Sequence, residues 1–230
     1  MINLLLQTPP LDVYEHMALD ETIVRLRPNE VTLRFYNWTA SPAVTFGYAQ
    51  FIGQVRRTLA SCAFSGDFCR RPTGGGVVFH TGDLTFSLVF QSSQKPSAIY
   101  EELHTIIAHT LGSRVQLVAD RTPASAYAPS TQGRANACFT NPVQNDLLND
   151  SGHKVLGGAI RRFGQTILYQ GSLQLPNART SVSCKQALIE AVRYFTGQTL
   201  FARRAENSLL EQAKTLATTQ YRTSEWTEKF

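Results

Sequence analysis

Cysteine is scarce in this chain, and its spacing fits neither a metal site nor a redox motif. Cys62, Cys69, Cys138 and Cys184 contain no Cys-x-x-Cys pair, so neither a zinc knuckle nor a dithiol is indicated. They read as reduced thiols of a cytoplasmic protein, where disulfides are rare. The five histidines show no His-x-x-x-His or Cys/His ligand spacing, and no metal is expected. No apolar run approaches the roughly 18 residues of a membrane span. The start, Met1-Ile2-Asn3-Leu4-Leu5-Leu6, lacks a basic region and soon meets a proline pair, so it does not read as a signal peptide. Long basic runs and aromatic–basic interleaving are also missing. The net charge of +5 therefore points to solubility or acidic protein partners, not to nucleic acid. Neither an internal repeat nor a linker divides the chain, so a single domain over residues 1–230 is expected.

What is present is enough for one large core: 230 residues, 43% of them apolar. Val13–Arg27 carries an apolar stripe at helical spacing and stops at Pro28-Asn29. Val31–Tyr36 and Ala43–Tyr48 alternate like strands, and Gln50–Gly66 has room for a short helix. Val77–His80 and Leu84–Phe90 flank Thr81-Gly82-Asp83, which predicts a hairpin. A helix capped by Ser97 should run to Gly112, followed by a short strand at Val115–Val118. Arg121–Ala137 shows no period and reads as a long surface loop. Strand-like pieces follow at Val143–Leu148, His153–Leu156, Ala159–Phe163 and Thr166–Leu175, with turns at Gly152 and Gly164. Ser183–Phe195 and Ala205–Thr219 are helical in pattern. Strands in the middle with helices at both ends predict an α+β fold, a mixed β-sheet packed with helices.

The most informative stretch is Arg70-Arg71-Pro72-Thr73-Gly74-Gly75-Gly76-Val77-Val78-Phe79-His80. Adjacent glycines let a backbone approach a ligand closely, and their amides can cradle an anion or an oxyanion. Neither the P-loop nor the dinucleotide spacing is present, and a ligand-free turn is the alternative. Cys138 offers a nucleophile if a nearby cation favours its thiolate; otherwise it is a small buried hydrophobe. Lys154 sits between glycines in Gly152-His153-Lys154-Val155-Leu156-Gly157-Gly158-Ala159. It can shuttle a proton or bind a phosphate, or be an exposed turn lysine. His80 can orient a ligand or donate a proton, or serve the structure alone.

Taken together these segments resemble the superfamily of biotin/lipoate ligases and octanoyltransferases. The matching pieces fall in order: Met17-Ala18-Leu19-Asp20-Glu21; Leu33-Arg34-Phe35-Tyr36-Asn37-Trp38 with Pro42 and Gly47-Tyr48-Ala49-Gln50; the Arg70–His80 stretch; and Lys154–Ala159 with Leu168-Tyr169-Gln170-Gly171-Ser172-Leu173. The resemblance covers nearly the whole chain. It implies the class II biotin/lipoate ligase catalytic-domain fold, a tunnel for a medium-chain acyl group and transfer to a lysine of a small lipoyl domain. Cys138-Phe139-Thr140-Asn141-Pro142, followed by Asp146-Leu147 and Lys154, resembles the nucleophile segment of the cysteine-dependent octanoyl/lipoyl transferases. Asp83-Leu84-Thr85-Phe86-Ser87 is also similar to theirs, and no accessory C-terminal domain is recognised. Gly76 is more like the ligases, and Thr81 stands where both branches often carry aspartate.

The resemblance implies that Cys138 takes an octanoyl or lipoyl group from acyl carrier protein, with no cofactor. The group then passes to a lipoyl domain or the glycine-cleavage H protein. Lys154 would favour the thiolate and then deprotonate the incoming amine. Amides of Gly74, Gly75, Gly76, Gly157 and Gly158 would line the acyl carbonyl, some of them forming an oxyanion hole, and Thr73, His80 and Ala159 would also bind the substrate. Arg70 and Arg71 would contact the carrier-arm phosphate or anchor the loop, unless they pair with surface carboxylates. The residues also fit two other readings. One is a lipoate–protein ligase using ATP and Mg, with Lys154 on the carboxylate and α-phosphate. The other is a non-catalytic acyl- or lipoyl-domain-binding paralogue.

Overall fold

The computed structural model describes residues 3–39, 42–118 and 142–230. Its elements run β1 (Leu4–Gln7), α1 (Val13–Leu26), β2 (Thr32–Phe35), β3 (Ala43–Phe46), α2 (Ile52–Ser61), β4 (Phe68–Arg70), β5 (Val78–His80) and β6 (Leu84–Gln91). Then come α3 (Pro96–Leu111), β7 (Gln116–Leu117), β8 (Leu147–Leu148), β9 (Lys154–Phe163), β10 (Thr166–Leu173), α4 (Val182–Thr196), β11 (Phe201–Arg204), α5 (Asn207–Leu216) and α6 (Ser224–Thr227). The expected α+β class is what forms. One mixed sheet has the order β11-β1-β2-β6-β10-β9-β8-β7, and a smaller one the order β4-β3-β5.

Alternation along the central strands places the layers. On β6, Leu84, Phe86, Leu88 and Phe90 face a core shared with Ile99, Leu103 and Ile107 of α3 and Leu188 and Val192 of α4. Val89 faces the other side, against Leu19 and Ile23 of α1 and Leu209 of α5. β10 repeats this, with Ile167, Tyr169 and Leu173 on the first side and Leu168 on the second. The second face turns polar toward one end: Thr85, Ser87, Gln170 and Ser172 are all buried there. Burying hydroxyls and an amide between two layers is costly unless each finds a partner. That end of the sheet is the floor of the site.

Local chemistry explains the helix ends. Asp12 and Glu15 form a reciprocal capping box at α1, Ser181 caps α4, and Gly197 ends it in the left-handed region. Ser97 is not the cap of α3: Lys95 occupies that position without a side-chain bond, and Pro96 opens the helix. Proline suits that place because its missing N–H has no partner there anyway.

The predicted hairpin is a correction of greater consequence. β5 pairs with β3 in the small sheet, while β6 pairs with β2 and β10 in the large one. The chain crosses between sheets at residues 81–83. Asp83 pins the corner, accepting bonds from Thr85 Oγ1 at 2.7 Å and Ser172 Oγ at 2.6 Å. Arg179 ties the backbone, donating to the carbonyls of Asp83 and His80. The pieces expected at His153–Leu156 and Ala159–Phe163 are one strand, continuous through Gly157-Gly158. The segment predicted as a loop, residues 121–137, lies outside the described residues. No helix among the described residues is long and apolar enough to cross a membrane.

Candidate active site

The glycine loop is held by hydrogen bonds within itself and to neighbouring elements. Tyr48 N–H donates to the Thr73 carbonyl at 2.8 Å. Arg71 Nε donates to the Gly74 carbonyl at 3.0 Å, and its Nη2 donates to the same oxygen. Arg161, on β9, donates to the Pro72 carbonyl at 3.0 Å, and its guanidinium stacks on the Tyr48 ring. Thr73 Oγ1 donates to Gln170 Oε1 at 2.6 Å. Gly75 has φ +88°, in the region that favours glycine. Gly74 and Gly75 remain exposed.

Arg71 bonds the glycine loop itself, whereas Arg70 bonds backbone on either side of it. Arg70 is fully buried, and its guanidinium donates to the carbonyls of Tyr48, Gln50, Trp226 and Thr227. It fastens the end of the chain under the loop. The alternative expectation, a phosphate contact, is therefore corrected for Arg70, whose donors face backbone carbonyls instead.

Beneath the loop lies a cleft between the two sheets, with about 380 Å³ of atom-free space including its open mouth. Met17 of α1, Val78 of β5, Gly157-Gly158-Ala159 of β9 and Gly171 of β10 supply its apolar lining; Tyr36, Thr45, Arg71, His80, Thr85, Gln170 and Ser172 supply the rest. His80 is buried here. Its Nδ1 is 2.9 Å from Asp83 Oδ2 and its Nε2 2.9 Å from Thr45 Oγ1, and Trp38 stacks on its ring. Burial alone would raise the Asp83 carboxyl, but His80 and the hydroxyls of Ser172 and Thr85 outweigh it, leaving a pKa of about 2. Behind this wall Asp20 accepts from Arg34 Nε at 2.7 Å, Ser87 Oγ at 2.6 Å, Gln170 Nε2 at 2.7 Å and the Tyr36 hydroxyl.

Lys154 opens β9, three residues before the cleft lining. It is a buried lysine in an ion pair, not an exposed turn residue: Nζ lies 2.8 Å from Asp146 Oδ2, and Asp146 is wholly buried. Asp146 also accepts from the Tyr100 hydroxyl at 2.6 Å and from Val143 N–H at 2.7 Å. Tyr100 Oη in turn accepts from Gly158 N–H at 3.1 Å. That corrects part of the oxyanion expectation, because the Gly158 amide already has a partner. Burial and the neighbouring Asp146 push the Tyr100 hydroxyl well above its ordinary pKa, so it stays a neutral donor. Burial pulls His104 down to about 3, and the Lys154 charge acts in the same direction against a hydrogen bond to Asn145.

Cys138 lies outside the described residues. Of the other cysteines, Cys69 and Cys184 are buried and Cys62 is half-buried. Among the described residues no three His, Cys, Asp or Glu side chains converge as a metal site. Asp20, Thr45, Asp83, Tyr100, His104, Asp146 and Gln170 join the site's networks although no motif singles them out as site residues. A signal existed for the strand residues. Polar side chains recur every second position in Leu84-Thr85-Phe86-Ser87-Leu88 and in Gln170-Gly171-Ser172, inside strands otherwise buried on both faces.

The model of the lipoyl protein ligase A/B catalytic domain matches residues 12–192. An octanoyltransferase LipM of Symbiobacterium thermophilum is 35% identical over 172 residues, covering 70% of this chain and 61% of that protein. One of Oceanobacillus iheyensis is 30% identical over 174 residues, covering 74% and 63%. The chain thus spans about three-fifths of the length of these curated relatives. Among solved structures, a lipoate-protein ligase A bound with ATP superposes with a TM-score of 0.75 at 20% identity, covering 99% of this chain and 98% of that one. The bi-partite lipoate protein ligase of Thermoplasma acidophilum, studied with its E2 lipoyl domain, gives 0.72 at 20% identity, covering 99% and 96%.

Proposed function

Because the chain belongs to the lipoyl protein ligase A/B catalytic-domain family, we propose that it is a cytoplasmic acyltransferase of protein lipoylation. It moves an octanoyl or lipoyl group from a carrier-protein thioester, through Cys138, to a lysine of a lipoyl domain or of the glycine-cleavage H protein. The observation that carries this reading is the buried Lys154–Asp146 ion pair at the start of β9, the strand whose Gly157, Gly158 and Ala159 line the cleft. The likeness to octanoyltransferases supports the choice of branch.

The chemistry divides into two balanced steps. The Cys138 thiolate attacks the thioester carbonyl; its C–S bond forms as the carrier's C–S bond breaks. The departing thiolate takes a proton from the Lys154 ammonium. The neutral acceptor lysine then attacks the acyl-cysteine, forming the amide. Its proton passes to the now neutral Lys154, and Cys138 leaves as thiolate. Glycine-loop amides polarise the carbonyl, a contribution of about 3–4 kcal/mol per donor in comparable sites. The cleft, Met17 and Val78 included, holds the acyl chain, so both steps occur between groups already oriented.

The test is intact-protein mass spectrometry after mixing with octanoyl-loaded carrier protein, without ATP. A hydroxylamine-sensitive octanoyl adduct, absent from Cys138→Ala, is expected. No adduct, together with lipoate-dependent exchange of pyrophosphate into ATP, would replace this reading with the ligase, which uses ATP and Mg. Silence in both assays would leave a binding paralogue.

A further inference from the structure

We propose that Asp146 and Tyr100 are positioning residues that set the Lys154 ammonium and the Gly158 amide against each other; the proposal rests on Lys154 handling the proton in transfer. Lys154 and Gly158 are four residues apart on β9. Asp146 and Tyr100 bridge that span through three hydrogen bonds. Lys154 Nζ is 2.8 Å from Asp146 Oδ2, Tyr100 Oη 2.6 Å from Asp146 Oδ1, and Gly158 N 3.1 Å from Tyr100 Oη. The donor order follows from the groups themselves. Ammonium and amide only donate and a carboxylate only accepts, so the tyrosine must donate to Asp146 and accept from Gly158.

His104 fixes both members of the bracket. Its ring stacks on Tyr100 with centroids 3.9 Å apart. Its Nδ1 is 2.7 Å from the carbonyl of Asn145, which precedes Asp146, and its Nε2 is 2.8 Å from the Tyr169 hydroxyl. A carbonyl only accepts, so Nδ1 carries the proton and Nε2 accepts from Tyr169. Tyr169 in turn packs where a Gly158 side chain would stand: a Cβ there would lie 2.3 Å from its hydroxyl oxygen. Tyr100 and His104 are one helical turn apart on α3, so one helix face braces this corner of β9.

Stability alone is a poor reason for such an arrangement. A buried ion pair is seldom better than well-packed apolar side chains, because desolvation offsets its attraction. In transfer it has a use. When Lys154 has given its proton to the departing thiolate, the neutral amine keeps one N–H on Asp146, and its lone pair turns away from that carboxylate toward the incoming amine. Asp146 stays charged throughout and takes no proton.

The experiment is single-turnover acylation of the full chain by octanoyl-loaded carrier protein, read by intact mass, with thermal midpoints recorded alongside. Asp146→Asn is expected to slow acylation about 10–100-fold, the usual range for losing a hydrogen bond to a charged group. The donor KM should hold, and Asp146→Glu should recover part of the rate. Added to Lys154→Ala, Asp146→Asn should cost nothing further, since its effect passes through Lys154. A folded Asp146→Asn enzyme acylated at the parent rate overturns the proposal and leaves the reading of Lys154 intact. So does a fully multiplicative loss in the double variant. A Lys154→Ala enzyme acylated at the parent rate overturns both. If Asp146→Asn does not fold, Tyr100→Phe decides, as it deletes a single hydroxyl: about tenfold slowing supports the bracket, and the parent rate overturns it.

Discussion

Gly47 and Gly75 meet backbone to backbone: a Cβ on Gly47 would stand 1.9 Å from the Gly75 carbonyl oxygen and 2.8 Å from its carbon. Backbone cannot rotate aside as a side chain can, so the glycine loop rests where it does because position 47 has no side chain. Gly47→Ala should push the loop off its seat. We expect a stability loss of about 1–3 kcal/mol, as for other overpacked sites, and acylation slowed by tenfold or more. Urea unfolding beside the acylation assay measures both. A variant unchanged in rate would mean that the loop finds its catalytic position without this contact.

Arg70 is the second determinant of the loop's position, acting from below through the carbonyls of Tyr48, Gln50, Trp226 and Thr227. Lysine keeps the charge but lacks the planar fork, so Arg70→Lys should leave buried carbonyls unsatisfied. The expected cost is at least about 2 kcal/mol. Residues 222–230 should become sensitive to limited proteolysis, with the nick located by mass spectrometry. A phosphate ligand would behave otherwise, raising the donor KM while leaving stability and proteolysis unchanged.

The parts of the fold legible in the sequence were those carried by local chemistry. The stripe of α1, the stop at Gly112 and the turns at Gly152 and Gly164 each follow from a few adjacent residues, and all formed. What escaped was non-local. Val77–His80 and Leu84–Phe90 look like hairpin arms because a Gly-Asp turn separates them. Whether they pair depends on Ser172 and Arg179, about 90 residues away in sequence, which hold the Asp83 corner. β1, β4 and β11 are short, and β11 is exposed along its length, so no alternation marked them. The same division holds in the site. The glycine loop and Lys154 stood out as local oddities, whereas Tyr100 and Asp146 matter only because folding brings α3 to the start of β9.

His104 makes the fold sensitive to acid. Burial holds the folded imidazole neutral with a pKa of about 3, against an ordinary value of 6.5. The unfolded chain therefore binds a proton that the folded chain does not. The stability this represents is fully present above about pH 6.5 and falls as the pH drops toward 3, approaching about 1.4 kcal/mol per pH unit. His16 is shifted in the same direction, by burial and then by Arg34, so removing one histidine removes part of the slope. His104→Asn should be less stable at pH 7 but lose stability more slowly between pH 6 and 4, as read from urea midpoints. An equal slope in the two proteins would mean that His104 is not held neutral.

Asp20 is the buried acid on which the floor of the cleft depends. It accepts from Arg34, Ser87, Gln170 and the Tyr36 hydroxyl at once, and Gln170 passes the contact on to Thr73 of the glycine loop. Asn in its place would bring an amide donor against a cluster of donors and leave the Arg34 guanidinium buried without its counter-charge. Breaking such a pair from one side costs about 3–5 kcal/mol, so Asp20→Asn should lower the unfolding free energy by that amount, read from urea unfolding. The loss should also reach the site, because Gln170 would turn to find a new acceptor and release Thr73. Acylation by the folded fraction is therefore expected to fall as well, with the donor KM rising. Replacing the ion pair as a whole, Asp20→Leu with Arg34→Met, separates the two effects: much of the stability should return, since no unpaired charge remains, while the Gln170–Thr73 tether stays disturbed and the KM stays high. If the double variant regained both stability and KM, the buried acid would serve packing alone and the glycine loop would not depend on it.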